Sequence, residues 1–209
     1  MRKNMLRGLV LAGVTATMLA GVGTPIATAD DPGSCFYFAD CNSVNGHISR
    51  ATVIKRAQIW VDKGYGYSQA TSGAVNGTGE NTAQKWRRDC SGYVSMAWRL
   101  SGVAPNYGLN TSSLTTKSTV ISYTGLHAGD ILDDPVGGEG YSAHVIIFDH
   151  WVSTVGGDFW MYEENPSYGG AVHHKASDVT YLQIRGIKGR SGDGGDAFIP
   201  RSYTKITNS

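Results

Sequence analysis

The chain has 209 residues, with 18 Lys and Arg against 17 Asp and Glu. That near-neutral balance excludes a surface built for nucleic acid or anionic lipid, and the length suits one domain with a full core. Charged residues make up only 17% of the chain while Gly numbers 28 and Tyr 11, a composition that suits an extracellular protein with long loops.

Residues 1–29 read as a signal peptide. Arg2, Lys3 and Arg7 supply a positive start, an apolar run follows from Leu9 to Val22, and Ala27-Thr28-Ala29 offers a small-x-small cleavage site. Cleavage there predicts a secreted, extracellular or wall-associated protein, with no later stretch long enough to hold a membrane. Residues 30–47 form an N-terminal arm. In an oxidising compartment Cys35 and Cys41 are expected to close a small disulfide loop within it. Residues 48–209 read as one domain, expected to be a monomer.

Ser49 caps a predicted helix that runs to about Lys63 and stops at Gly64, with Val53, Ile54, Ala57, Trp60 and Val61 on its core face. Gly64 to Arg88 is a long polar loop. Asp89 opens a second helix expected to end at Gly102, with Cys90, Val94, Ala97, Trp98 and Ser101 as its buried stripe. An irregular stretch to Tyr123 follows. Strands are predicted from Gly129 to Leu132, Ala143 to Asp149, Phe159 to Glu164, Ala171 to Lys175 and Val179 to Ile187, with Phe198-Ile199-Pro200 as a last edge. The second of these is apolar on both faces, as a central strand is. Helices first and strands later give an α+β fold, with N-terminal helices packed on a mainly antiparallel sheet.

Cys90 is the cysteine without an obvious partner. At the first position of a helix, unpaired amides and the positive end of the dipole favour its thiolate, which makes it the candidate nucleophile. A thiol nucleophile needs a base, and the base needs an orienting group. His144 begins the central strand on the face of Ile146 and Phe148. If the sheet packs that face on the second helix, His144 lies beside Cys90. The alternative is a strand-end histidine bonded to a backbone carbonyl. Antiparallel pairing brings the next strand to His144 near Glu163, which shares a face with Phe159 and Met161. A one-residue slip would substitute Glu164, and Asn165 is the next candidate. His150 and His173-His174 do not make a metal site: no His-x-His or His-Glu-x-x-His is present, and adjacent histidines on a strand face opposite ways. No cofactor is expected. Asp130 and Asp133-Asp134 are read as shaping a strand start and a turn.

Asp89-Cys90-Ser91-Gly92-Tyr93-Val94 resembles the cysteine signature of the NlpC/P60 cysteine peptidases. Leu126-His127-Ala128-Gly129-Asp130-Ile131 is similar to their L-x-x-G-D-[IL] element, Ser142 to Ile147 to their strand-borne histidine, and Gly66-Tyr67-Ser68 to their upstream tyrosine segment. The resemblance spans about Ser49 to Ile187. It implies a papain-like fold, and hydrolysis of amide bonds in peptidoglycan stem peptides, usually between D-glutamate and the diamino acid. It implies Cys90 and His144 as the catalytic pair, Tyr67 as lining the substrate site and the Cys90 amide as an oxyanion donor; the strand register adds Glu163 as the third member, and Ser91, next to the nucleophile, is a second expected substrate contact. The family's third residue is often a histidine about a dozen positions after the first; here it is acidic and farther along. The usual Gly pair after the tyrosine is missing, and Gln69-Ala70-Thr71-Ser72 stands there instead. Related CHAP amidases keep the Cys-then-His order and often use an acidic or amide third residue. They supply the second expectation, an N-acetylmuramoyl-L-alanine amidase. A non-catalytic wall-binding or interaction module is the third.

Overall fold

The computed structural model describes residues 43–78 and 83–208. The expected signal peptide and the Cys35–Cys41 pair lie outside the described residues.

Strand β1 (Ile48–Ser49) leads into helix α1 (Arg50–Lys63). The Ser49 hydroxyl accepts the Thr52 amide at 3.2 Å and supplies one of the acceptors a helix start lacks. Gly64 closes the helix in the left-handed conformation, at φ 60°, with its N–H on the Trp60 and Val61 carbonyls. Val53, Ala57 and Trp60 are buried as expected, while Ile54 and Val61 are half-buried. Arg56, a charge that the helical pattern leaves to solvent, is inside as well. It is 2% exposed because Nε and Nη2 both donate to the Met96 carbonyl, at 2.9 and 2.7 Å, at the end of the next helix.

The loop after Gly64 folds back on the domain. It bridges Gly66 to Gly170, Ser68 to Arg88 and Val75 to Trp86. Helix α2 (Cys90–Ala97) then starts on Asp89, whose Oδ1 accepts the Gly92 amide at 2.6 Å. The motif needs its glycine for space, since a Cβ on Gly92 would sit 2.2 Å from the Arg87 carbonyl. α2 ends five residues before the expected Gly102. Trp98 and Leu100 are both fully buried, and two residues apart on a helix they would point to nearly opposite sides. Arg99, at φ 55°, breaks the helix between them and lets both turn inward. Ser101 therefore leaves the stripe and is half-buried.

Helix α3 (Thr111–Leu114) and strand β2 (Ser118–Val120) occupy the stretch read as irregular. Strands β3 (Ile131–Asp134), β4 (His144–Trp151), β5 (Phe159–Asn165) and β6 (Gly170–Lys175) follow within a residue or two of expectation. The segment expected as a strand from Val179 is helix α4 (Thr180–Arg185). It buries Leu182 and Arg185 and turns at Gly186. Six residues rich in β-favouring side chains do not distinguish the two states by pattern. Strands β7 (Ile199–Tyr203) and β8 (Ile206–Thr207) end the described chain.

The six-stranded sheet has the order β2-β7-β3-β4-β5-β6, antiparallel throughout; β1 and β8 pair in parallel beside it. β7 is thus an interior strand, not an edge. Its position is taken because β2, missing from the expectation, covers its outer side. One core lies between the sheet and α1 and α2, with Val145, Ile147 and Tyr162 from the strands. A second core lies on the opposite face, where Ile146, Phe148, Phe159 and Met161 meet Leu182 and Phe198. The protein is α+β with a mainly antiparallel sheet, and β4 is buried on both faces.

Candidate active site

Cys90 opens α2 and is 8% exposed; it is the free cysteine among the described residues. The residues before it are locked by Arg87. Its Nε donates to Asp89 Oδ2 at 2.7 Å, Nη2 to Ser91 Oγ at 3.2 Å, and Nη1 and Nη2 to the carbonyls of Gly108 and Leu109. Asp89 thus caps the helix with its charge paired. Because helix geometry gives the first amides no intrahelical acceptor, the Cys90 N–H is available beside its own sulfur.

His144 is the first residue of β4, and its ring hydrogen-bonds the Cys90 thiol. Nε2 is taken by Glu163 Oε2 at 2.7 Å, which leaves Nδ1 for the sulfur. The two residues come together, but not by the expected route. α2 packs on the face of Val145 and Ile147, whereas His144 shares the other face and stands against Tyr181 and Phe198. The contact forms around the end of the sheet, because Cys90 is the first residue of its helix and His144 the first of its strand.

Glu163 is fully buried. Besides His144, it accepts from His174 Nε2 at 2.7 Å, Asn165 Nδ2 at 2.8 Å and the Tyr181 hydroxyl at 2.8 Å. Burial would raise its pKa, but the hydrogen bonds from His144, His174 and Asn165 outweigh that and hold it at about 2. For His144, burial pulls the imidazole down, yet its hydrogen bonds to Cys90 and Glu163 and their charges bring it up to about 9. The arrangement can store a proton on the imidazole beside sulfur and return it to a leaving group.

Glu164, the one-residue-slip alternative, points to the other face. Among the described residues neither of its buried oxygens has a hydrogen-bond partner, and burial pushes its carboxyl to about 8, with Arg88 opposing and Asp89 adding. Asn165 reaches Glu163 and not His144, so it anchors the carboxylate.

Two cavities flank Cys90. One, of about 490 Å³, is polar and includes Ser91, Asn106, Asn110 and Thr111. Ser91 Oγ donates to Asp89 Oδ1 at 3.2 Å while lining it. The other, of about 390 Å³, is lined by Tyr67, Cys90, His144, Asn165, Tyr181 and Arg185. Burial raises the Tyr67 phenol to about 12, with the charges of Cys90, Asp89 and Glu164 adding to it, so it enters the cavity as a neutral hydroxyl. Among the described residues no group of three His, Cys, Asp or Glu side chains is arranged to hold a metal ion. His173 and His174 face opposite ways: His173 goes to Asp149 and His174 to Glu163. Asp130 pairs with Arg50 at 2.8 Å and accepts the His127 amide, and Asp134 accepts the Gly137 amide in the turn.

Sequence reasoning missed Tyr181, Arg185 and His174. Tyr181 and Arg185 are four apart on a helix read as a strand. The sequence suggests His174 only as a metal ligand; the β5–β6 register, which pairs it with Met161, puts it on the face of Glu163. No family model, curated protein or solved structure matches the chain.

Proposed function

We propose that the chain is a cysteine hydrolase of papain-like fold that cleaves amide bonds in peptidoglycan stem peptides. The observation that carries this reading is the run of contacts Cys90–His144–Glu163 opening onto two cavities. Sulfur attacks the amide carbonyl carbon as its proton rests on His144. The Cys90 amide meets the developing oxyanion. The C–N bond breaks, the His144 proton goes to the leaving amine, and a thioester remains. Water, giving its proton to His144, attacks that thioester, and the thiol is restored as the acid departs. The wall-peptide substrate rests on the NlpC/P60 resemblance of the Cys90, Gly129-Asp130 and His144 segments, and Tyr67 and Ser91 line the cavities where such a peptide would sit. Secretion through removal of residues 1–29, and a disulfide between Cys35 and Cys41, belong to the same proposal.

An acidic third residue also suits a CHAP-like N-acetylmuramoyl-L-alanine amidase. Digesting purified peptidoglycan and weighing the fragments separates the readings. A stem-peptide cut leaves part of the peptide on the glycan, whereas an amidase strips the whole stem. Release of neither, by protein whose Cys90 is free and alkylatable, leaves the non-catalytic wall-binding module.

A further inference from the structure

Among the described residues, Arg185 is the one Lys or Arg that lines the smaller cavity beside Cys90, and no Asp or Glu lines it. The guanidinium is held rigidly. Its Cζ stands 4.3 Å from the Tyr141 ring centre, 4.5 Å from Phe198 and 5.9 Å from Tyr181. Nη2 is committed to Asp134 Oδ2 and to the Ser142 carbonyl. Nη1 is the open donor: among the described residues no acceptor holds it, while Nε is buried without a partner and is closed to the cavity. Arginine has five N–H donors in a fixed plane, so a pair with one carboxylate leaves donors to spend. A purely structural arginine would turn its free donors to bulk water. Here the side chain is 7% exposed and what it reaches is the cavity that holds the nucleophile.

We infer that Arg185 makes this cavity a subsite for an anion, and that the group it takes is a carboxylate carried by the substrate close to the scissile amide. A carboxylate oxygen can accept from Nη1, and its charge makes that bond stronger than one from a neutral acceptor. The substrate class is then an acidic peptide. This deepens the hydrolase reading and rests on it, whereas the anion subsite itself is testable without turnover.

Cys90 provides the probe, because iodoacetate carries a carboxylate and iodoacetamide does not. Their alkylation rates at Cys90 are measured as a ratio, which cancels changes in the thiol itself. Arg185→Gln is expected to lower the iodoacetate-to-iodoacetamide ratio about tenfold, and Arg185→Lys to restore much of it. Added salt should lower the wild-type ratio as well. An unchanged ratio in Arg185→Gln overturns the subsite. Should that variant not fold, wild-type protein suffices. N-acetylglycine must protect Cys90 from iodoacetamide better than N-acetylglycinamide does, and equal protection overturns the subsite. For the substrate, the active enzyme should cut a stem peptide at least about tenfold faster in kcat/KM than its carboxamide twin. Equal rates remove the acidic-peptide assignment and leave the hydrolase intact. A responsive alkylation ratio in a protein that cuts no peptide keeps the anion subsite and removes the hydrolase.

Discussion

His144 Nε2 and Glu163 Oε2 stand 2.7 Å apart on neighbouring strands, and the carboxylate that receives the imidazole also receives His174, Asn165 and Tyr181. Four donors on one buried carboxylate keep it ionised where burial alone would protonate it. The same charge holds the proton on His144. The pair is thus one electrostatic unit, and its behaviour with pH follows from the direction of each shift.

His144 lies near 9, above its ordinary 6.5, so the imidazolium persists through neutral pH and is lost as pH rises through about 9. The rate profile of the active protein should fall on its alkaline side there. Glu163→Gln keeps a hydrogen-bonding group and removes the charge. It should lower kcat/KM by about 10- to 100-fold and move the alkaline limb to lower pH. A limb that stays in place in this variant separates Glu163 from His144.

Cys90→Ala should leave no turnover of wall peptides while circular dichroism and melting temperature stay close to wild type, since only a sulfur at the end of a helix is removed. His144→Ala should be equally inactive, because among the described residues it is the imidazole bonded to the Cys90 thiol that holds and returns the proton. Residual turnover in either variant would place the chemistry elsewhere.

Tyr181→Phe removes one donor from Glu163. A hydrogen bond to a charged group is worth about 1.5–3 kcal/mol. The Glu163 pKa then rises from about 2 toward its ordinary 4.5. The stability it contributes is full above 4.5 and is lost as pH falls from there through the folded value, so the variant has less of it to lose and its loss should be complete at a higher pH. Urea unfolding between pH 2 and pH 5 reads this directly; coincident curves for variant and wild type deny Tyr181 that role.

Glu164 carries the opposite sign. Its folded pKa of about 8 lies above its ordinary 4.5, so its protonated form favours the folded state below 4.5 and the advantage is lost as pH rises toward 8. Glu164→Gln should stabilise the protein at pH 8 relative to wild type by an amount on the order of a few kcal/mol, and by little at pH 4. Because Glu164 faces away from His144, the variant should keep its alkaline limb near 9. A displaced limb would mean that the two carboxylates share the imidazole.

Several features of this site are legible without coordinates because they are local. Ser49 and Gly64 bound α1 through cap chemistry, and Asp89 starts α2 so that Cys90 is its first residue. Alternation along β5 puts Glu163, not Glu164, on the face of Phe159 and Met161. These depend on period and on hydrogen bonds within a few residues, which the order of side chains dictates by itself.

Other features are decided by contacts between distant segments. Alternation puts His144 on one face of β4, but only the packed fold lays α2 on the opposite face and joins thiol to imidazole around the end of the sheet. The segment from Thr180 to Arg185 is too short for its own pattern to choose helix over strand; burial of Leu182 against the sheet and the Tyr181–Glu163 bond make the choice. β7 is interior because β2 reaches it across some eighty residues of chain, a pairing that no local signal announces. Arg56 and Arg185 look like solvated charges in the sequence and become buried because a helix end and a carboxylate arrive to accept their hydrogen bonds. Burial of charge is conditional on a partner, and the partner's position is a property of the whole fold.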